Sequence, residues 1–197
     1  MDRTSLTARL TGFARRAVEL DDRRAAAVAL AVVDDGAGPG LLLTRRAARM
    51  RAHAGQWALP GGRVDAGESA VRAALRELHE ELDLRVPEGD VLGLLDDYAT
   101  RSGYVITPVV VWAGRSDGVV PNADEVASVH VVPLTAVDVD PEFETIPESS
   151  APVIRVPLLG GWIHAPTAAV LHQFREVALH GRPTRVADYE QPVFAWR

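Results

Sequence analysis

A chain of 197 residues with 47% hydrophobic and 24% charged side chains has the balance of one globular domain with modest extensions, and two full domains are not expected. Its net charge of −6 gives no support to general nucleic-acid binding. All 21 basic residues are arginine, which excludes Schiff-base and P-loop lysine chemistry, and the absence of cysteine excludes a thiol nucleophile, a disulfide and a zinc-thiolate centre.

Taken in chain order, Leu6, Leu10, Phe13, Ala14, Ala17 and Val18 recur at helical spacing and predict a helix over residues 5–20 that packs on the domain. The charges scattered through residues 1–20 do not read as a signal peptide, and no apolar run approaches membrane-spanning length. Residues 25–33 form an apolar run stopped by Asp34, Asp35 and Gly36, and residues 41–44 follow Pro39 and Gly40, which predicts a hairpin. Residues 104–112 and 126–132 read as strands, and 34–40 and 114–124 as surface loops. Residues 138–157, with four prolines, read as an irregular loop that could border a site. Pro166 opens a helix through residue 180 that Gly181 ends, and residues 182–197 carry a weak strand signal. The expected organisation is an α/β fold, a mixed β-sheet with helices on its faces. Residues 1–21 are a helical extension, 22–185 the main domain and 186–197 a tail.

Three carboxylates stand within five residues, Glu77, Glu80 and Glu81. At about 100° per residue, Glu80 lies roughly 60° to one side of Glu77 and Glu81 roughly 40° to the other, so all three share one helix face. Val71, Ala74, Leu75, Leu78 and Leu82 fall on a separate arc, as the buried stripe of an amphipathic helix must. Like charges at these spacings destabilise an isolated helix. Hard oxygen ligation of Mg²⁺ or Mn²⁺ would turn that repulsion into coordination. The alternative is a solvated acidic face.

The Gly-rich run Gly62, Arg63, Val64, Asp65, Ala66, Gly67, Glu68 that enters this helix weighs against that alternative. The pattern Gly62, five residues, Glu68, seven residues, then Arg76, Glu77, Leu78, His79, Glu80, Glu81, Leu82, Asp83, Leu84 resembles the signature of the Nudix hydrolases. It departs only at Asp83, where the family usually has glycine; aspartate tolerates the left-handed conformation better than most residues, so the turn that ends the helix is expected to persist. The resemblance implies an α/β/α sandwich and metal-assisted diphosphate hydrolysis. It implies that Glu77, Glu80, Glu81 and a backbone carbonyl near Gly61 hold Mg²⁺ or Mn²⁺. Glu80 is then the leading candidate for proton acceptor, and Glu68 and Arg76 orient the ligands.

Just upstream stand Leu42, Leu43, Thr44, Arg46, Ala47, Arg51, Gly55, Pro60, Gly61 and Gly62, with Leu59 in a position usually held by phenylalanine. These residues resemble the extra motif of the coenzyme A diphosphatase branch of the Nudix family, and Val132 to Leu134 and Ile163 to Ala168 are similar to further stretches of it. Arg45, Arg46, Arg49 and Arg51 lie within seven residues in an otherwise acidic chain, and guanidinium forks suit the diphosphate and 3'-phosphate of coenzyme A. Any single one of them could instead pair with the protein's own carboxylates; Arg46 and Arg51, at motif positions, are the preferred choices. His53 and Gln56 either contact substrate or hold their loop, and Trp57 reads as packing. Glu125 reads equally as a further site acid and as an ordinary loop carboxylate, His79 as exposed, and His164 and His172 as structural. The expected partner is thus a small nucleoside diphosphate derivative, coenzyme A first and ADP-ribose as the alternative, with no nucleic acid and no membrane. A homodimer is an open option, for which the N-terminal helix could supply an interface, and the expected location is cytoplasmic. A non-catalytic nucleotide sensor is the third reading, disfavoured because all three box carboxylates are kept and no basic helix-turn-helix segment is present.

Overall fold

The computed structural model describes residues 1–47 and 55–196. Its centre is an eight-stranded mixed sheet. Strand β1 (Arg24–Asp34) pairs in parallel with β7 (Tyr104–Gly114) and turns back through residues 35–38 into β2 (Pro39–Arg46), the predicted hairpin. Strand β2 pairs with β3 (Trp57–Ala58) and with β8 (Val126–Pro133), while β5 (Val91–Leu94) and β6 (Tyr98–Ala99) pair with β7. At its beginning β1 takes a different partner, the short strand β4 (Gly61–Arg63), in antiparallel register Ala27 to Gly62.

Two apolar layers sandwich this sheet. On one face Ala27, Ala29 and Ala31 of β1 meet Ala73, Ala74, Leu78 and Leu82 of helix α2 (Ala70–Leu82), all fully buried. Alanine on both partners lets the helix sit close, and each buried leucine contributes about 1.5–3 kcal/mol. On the other face Leu30 and Val32 pack against α1 (Arg3–Thr11) and α4 (Thr167–Phe174), whose last turn continues through 175–179 to Gly181. A second sheet, β9 (Glu142–Ile146), β10 (Ser149–Leu158) and β11 (Gly161–His164), adjoins that layer, and a single turn, α3 (Leu134–Val137), joins β8 to it. The α/β/α sandwich is as expected.

Three sequence expectations are corrected. The N-terminal helix stops at Thr11, and residues 13–20 run on without helix because Asp96 and Asp97 capture that segment's backbone. Asp96 Oδ1 accepts from the Arg16 N–H at 2.7 Å, Asp97 Oδ2 accepts from the Val18 N–H at 3.0 Å, and Arg15 pairs with Asp97 at 2.5 Å. Residues 138–157 are chiefly the hairpin β9–β10, with Pro152 falling at the register shift between Ser149 and Val153, where a missing N–H costs little. The tail contributes one bridge, Val153 to Glu190, and a short helical turn at Val193–Ala195 in place of a strand.

Candidate active site

The site is built where β4 runs under α2. Gly61 and Gly62 are required there for different reasons: a β-carbon on Gly61 would stand 2.3 Å from the Ala27 carbonyl oxygen, and one on Gly62 2.2 Å from Glu77 Oε1. The first glycine lets β4 lie against β1 and the second makes room for a carboxylate. From Arg63 the chain turns into α2, which starts at Ser69, whose hydroxyl accepts from the Arg72 N–H at 3.2 Å. The helix ends at Asp83 in the left-handed region, φ 52° and ψ 26°, with the Leu84 N–H donating to Leu78 O and the Asp83 N–H to His79 O. The turn survives the replacement of glycine, as expected.

Arg76 is the hub. Its Nε and Nη2 form a fork on Glu68 at 3.1 and 3.2 Å, its Nη1 donates to Glu77 and to Glu80 at 2.9 Å each, and Nη2 also donates to the Arg63 carbonyl at 2.9 Å. Glu68 also accepts from the Asp65 N–H, so the loop and the helix are locked together by one guanidinium and one carboxylate. That fork holds the Glu68 carboxyl below its ordinary pKa. Of the three box carboxylates, Glu80 is half exposed at 51%, Glu77 is mostly covered at 13%, and Glu81 is buried at 5%.

Glu81 is electrostatically the most unusual group in the site. Burial pushes its pKa up to about 8; the Arg46 guanidinium and the Gly61 N–H oppose that rise, and the Glu77 and Glu125 carboxylates add to it. Burial also raises Glu77. Glu125, the residue left evenly balanced from sequence, thus joins the cluster. The loop after β7 carries it there: the Asn122 N–H donates to the Glu81 carbonyl, and the Ala47 N–H to the Glu125 carbonyl. The sequence signal for it was its place immediately before β8, whose Val126 registers with Arg46 on β2.

The upstream arginines are separated by strand alternation. Leu42 belongs to the layer under α2 and Leu41 and Leu43 to the opposite layer, so Arg46 faces the box carboxylates and Arg45 faces away. Arg45 lies 5.8 Å over the Trp57 ring and donates to the Gly55 carbonyl at 3.1 Å. Trp57 packs edge-on against His130, as a packing residue should. Arg46 Nε is buried and, among the described residues, has no hydrogen-bond partner. Arg49, Arg51 and His53 lie outside the described residues. His79 is only partly exposed and 3.4 Å from Asp83, His164 packs on Phe194, and His172 is buried beside Phe143 and Tyr189.

Do these residues suit a divalent cation? Among the described residues no three acidic or histidine side chains converge on one point, because Arg76 Nη1 takes both Glu77 and Glu80. The donor set fits nonetheless: hard carboxylate oxygens, one of them on a buried residue crowded by two further carboxylates, in need of positive charge. The fork on Glu68 would leave Arg76 partnered if Glu77 and Glu80 turned to a cation.

An α/β/α sandwich with a Gly-Gly strand under a helix of clustered glutamates defines the class to which this chain should be compared. A family model described as the NUDIX domain matches residues 22–155, and the chain belongs to the Nudix family. It is 44% identical over 122 residues to an uncharacterized Nudix hydrolase, NudL, of Citrobacter koseri, covering 58% of this chain and 59% of that one. It is 42% identical over 104 residues to the NudL of Escherichia coli K12, covering 49% and 50%. The chain therefore spans about half to three fifths of the length of the curated relatives it matches. A Nudix hydrolase from M. smegmatis, RenU, superposes with a TM-score of 0.53 at 23% identity, covering 80% of this chain and 86% of that one, a likeness of fold. Among the described residues no helix is long and apolar enough to cross a membrane.

Proposed function

We propose that this chain is a Mg²⁺- or Mn²⁺-dependent diphosphatase that cleaves coenzyme A or its thioesters to adenosine 3',5'-bisphosphate and 4'-phosphopantetheine. One observation supports the reading above the others: Arg46, the motif arginine of β2, shares the charged cluster of Glu77, Glu81 and Glu125 and, among the described residues, keeps a buried Nε without a hydrogen-bond partner. A guanidinium so placed puts positive charge beside the carboxylates, the complement that a bound diphosphate needs there.

In this mechanism Glu77, Glu80 and Glu81 would hold the divalent ion, which when bound would supply charge neutralisation for the diphosphate and acidify water. Arg76, clamped by the Glu68 fork, gathers Glu77 and Glu80 side by side in this structure and would stay partnered through Glu68 once they turned to the ion. Arg46 binds and orients the diphosphate, and Glu80, the exposed member, accepts the proton of the attacking water. Gly61 and Gly62 keep the floor open. The functional unit is taken as residues 22–185.

The test is incubation with Mg²⁺ and coenzyme A, ADP-ribose, NADH and diadenosine polyphosphates in parallel, with products identified by mass. Fastest release of 4'-phosphopantetheine from coenzyme A is expected. Faster cleavage of ADP-ribose would make the chain an ADP-ribose diphosphatase, and no turnover of any member would make it a sensor.

A further inference from the structure

We propose that Arg24 and Arg63, stacked on Tyr104, form a phosphate-monoester subsite that reads the ribose 3'-phosphate of the substrate. This rests on the coenzyme A reading above. The Arg24 guanidinium carbon lies 4.3 Å and that of Arg63 6.0 Å from the Tyr104 ring centroid, and Arg63 Nε donates to the Tyr104 hydroxyl at 3.2 Å. Two cations converge on one ring. Among the described residues neither has an ion-pair partner, a lack they share with Arg45 and Arg46, but only these two meet on one ring. Cation–π contact at exposed positions contributes only about 0.5–1 kcal/mol each, and the paired positive charges repel. An anion between them resolves the conflict.

The three side chains stand on paired strands. Arg63 of β4 registers with Ala26 of β1, and Arg24, two residues before Ala26 and on the same sheet face, registers with Tyr104 of β7. Ala26, the register partner of Arg63, carries only a methyl group and is half-buried. Tyr104 is fixed by its backbone, which both accepts from and donates to Thr100. The subsite is also tied to the reaction centre. Gly62 abuts Glu77 and the Arg63 carbonyl is held by Arg76, so the Arg63 guanidinium is anchored one residue from the carboxylate cradle, on the other side of β4. Two guanidinium forks presented together recognise a phosphate dianion better than a carboxylate or a neutral group.

The experiment is isothermal titration of the full chain, in Mg²⁺, with adenosine 3',5'-bisphosphate and with AMP. It is run for the wild type, the double variant Arg24→Gln/Arg63→Gln, and Arg51→Gln. Wild type should bind the bisphosphate about 10- to 100-fold more tightly than AMP, the range of one or two charged hydrogen bonds. The double variant should bind both with the affinity of AMP, while Arg51→Gln keeps the preference. A double variant that keeps it, or an Arg51→Gln that loses it alone, overturns the subsite and leaves the coenzyme A reading standing. Wild type that binds the two nucleotides alike overturns both.

Discussion

A methyl group placed on Gly62 would stand 2.2 Å from Oε1 of Glu77. That atom is the far end of a flexible side chain, so the carboxylate can swing aside and the fold survives. Gly62→Ala should therefore melt within a few degrees of wild type yet lose tenfold or more in kcat. Gly61→Ala meets rigid backbone at 2.3 Å and should lose stability as well, by about 1–3 kcal/mol. Thermal melts beside steady-state rates separate the two; equal rates for Gly62→Ala and wild type would break the link between Gly62 and Glu77.

If Glu81 is a cation ligand, Mg²⁺ or Mn²⁺ should stabilise the protein, by about 2.7 kcal/mol at a hundred times the dissociation constant. For a chain of this size that is several degrees in Tm. Glu81→Gln should abolish most of the rise while melting normally in EDTA. Equal metal-induced rises in both proteins would remove Glu81 from the ligand set.

Asp83 occupies the left-handed turn with φ 52°. Asp83→Gly should change stability by less than about 1 kcal/mol, because glycine adopts that conformation freely and aspartate tolerates it. Asp83→Val should cost about 1–2 kcal/mol, read as a shift in the urea midpoint.

Glu176 predicts a pH dependence away from the site. Its carboxylate accepts from Arg182 at 2.6 and 2.5 Å and from Thr184 at 3.1 Å, which pushes its pKa down to about 2 from 4.5. A depressed carboxylate stabilises the fold above about pH 4.5, and that contribution is lost as pH falls toward 2. Glu176→Gln should cost about 2–3 kcal/mol at pH 7, the lower value allowing for the half-exposed Arg182, and the gap to wild type should start to narrow below about pH 5, shrink to roughly half by about pH 3 and close only toward pH 2. Melts across pH 3–7 check it.

The box helix was legible because its two faces carry unlike chemistry at one period: Leu78 and Leu82 are fully buried on one side while Arg76 gathers Glu77 and Glu80 on the other. The β1–β2 hairpin was legible from Asp34 to Gly40, a turn between two apolar runs. What failed depended on partners far along the chain. Residues 13–20 keep helical spacing, but Asp96 and Asp97, some 80 residues away, bind their backbone. The prolines of 141–157 spoke for a loop, yet Pro152 falls at a register shift and leaves the hairpin intact. Strand alternation, invisible in a count of arginines, turns Arg46 toward Glu81 and Arg45 onto Trp57.

The most direct measurement is mass-resolved hydrolysis of coenzyme A in Mg²⁺ by the wild type and by Glu81→Gln. Wild type should release adenosine 3',5'-bisphosphate and 4'-phosphopantetheine, and Glu81→Gln, still folded by circular dichroism, should be slower by a hundredfold or more, about 2.7 kcal/mol of transition-state stabilisation. A Glu81→Gln protein that cleaves coenzyme A at near the wild-type rate would contradict the assignment.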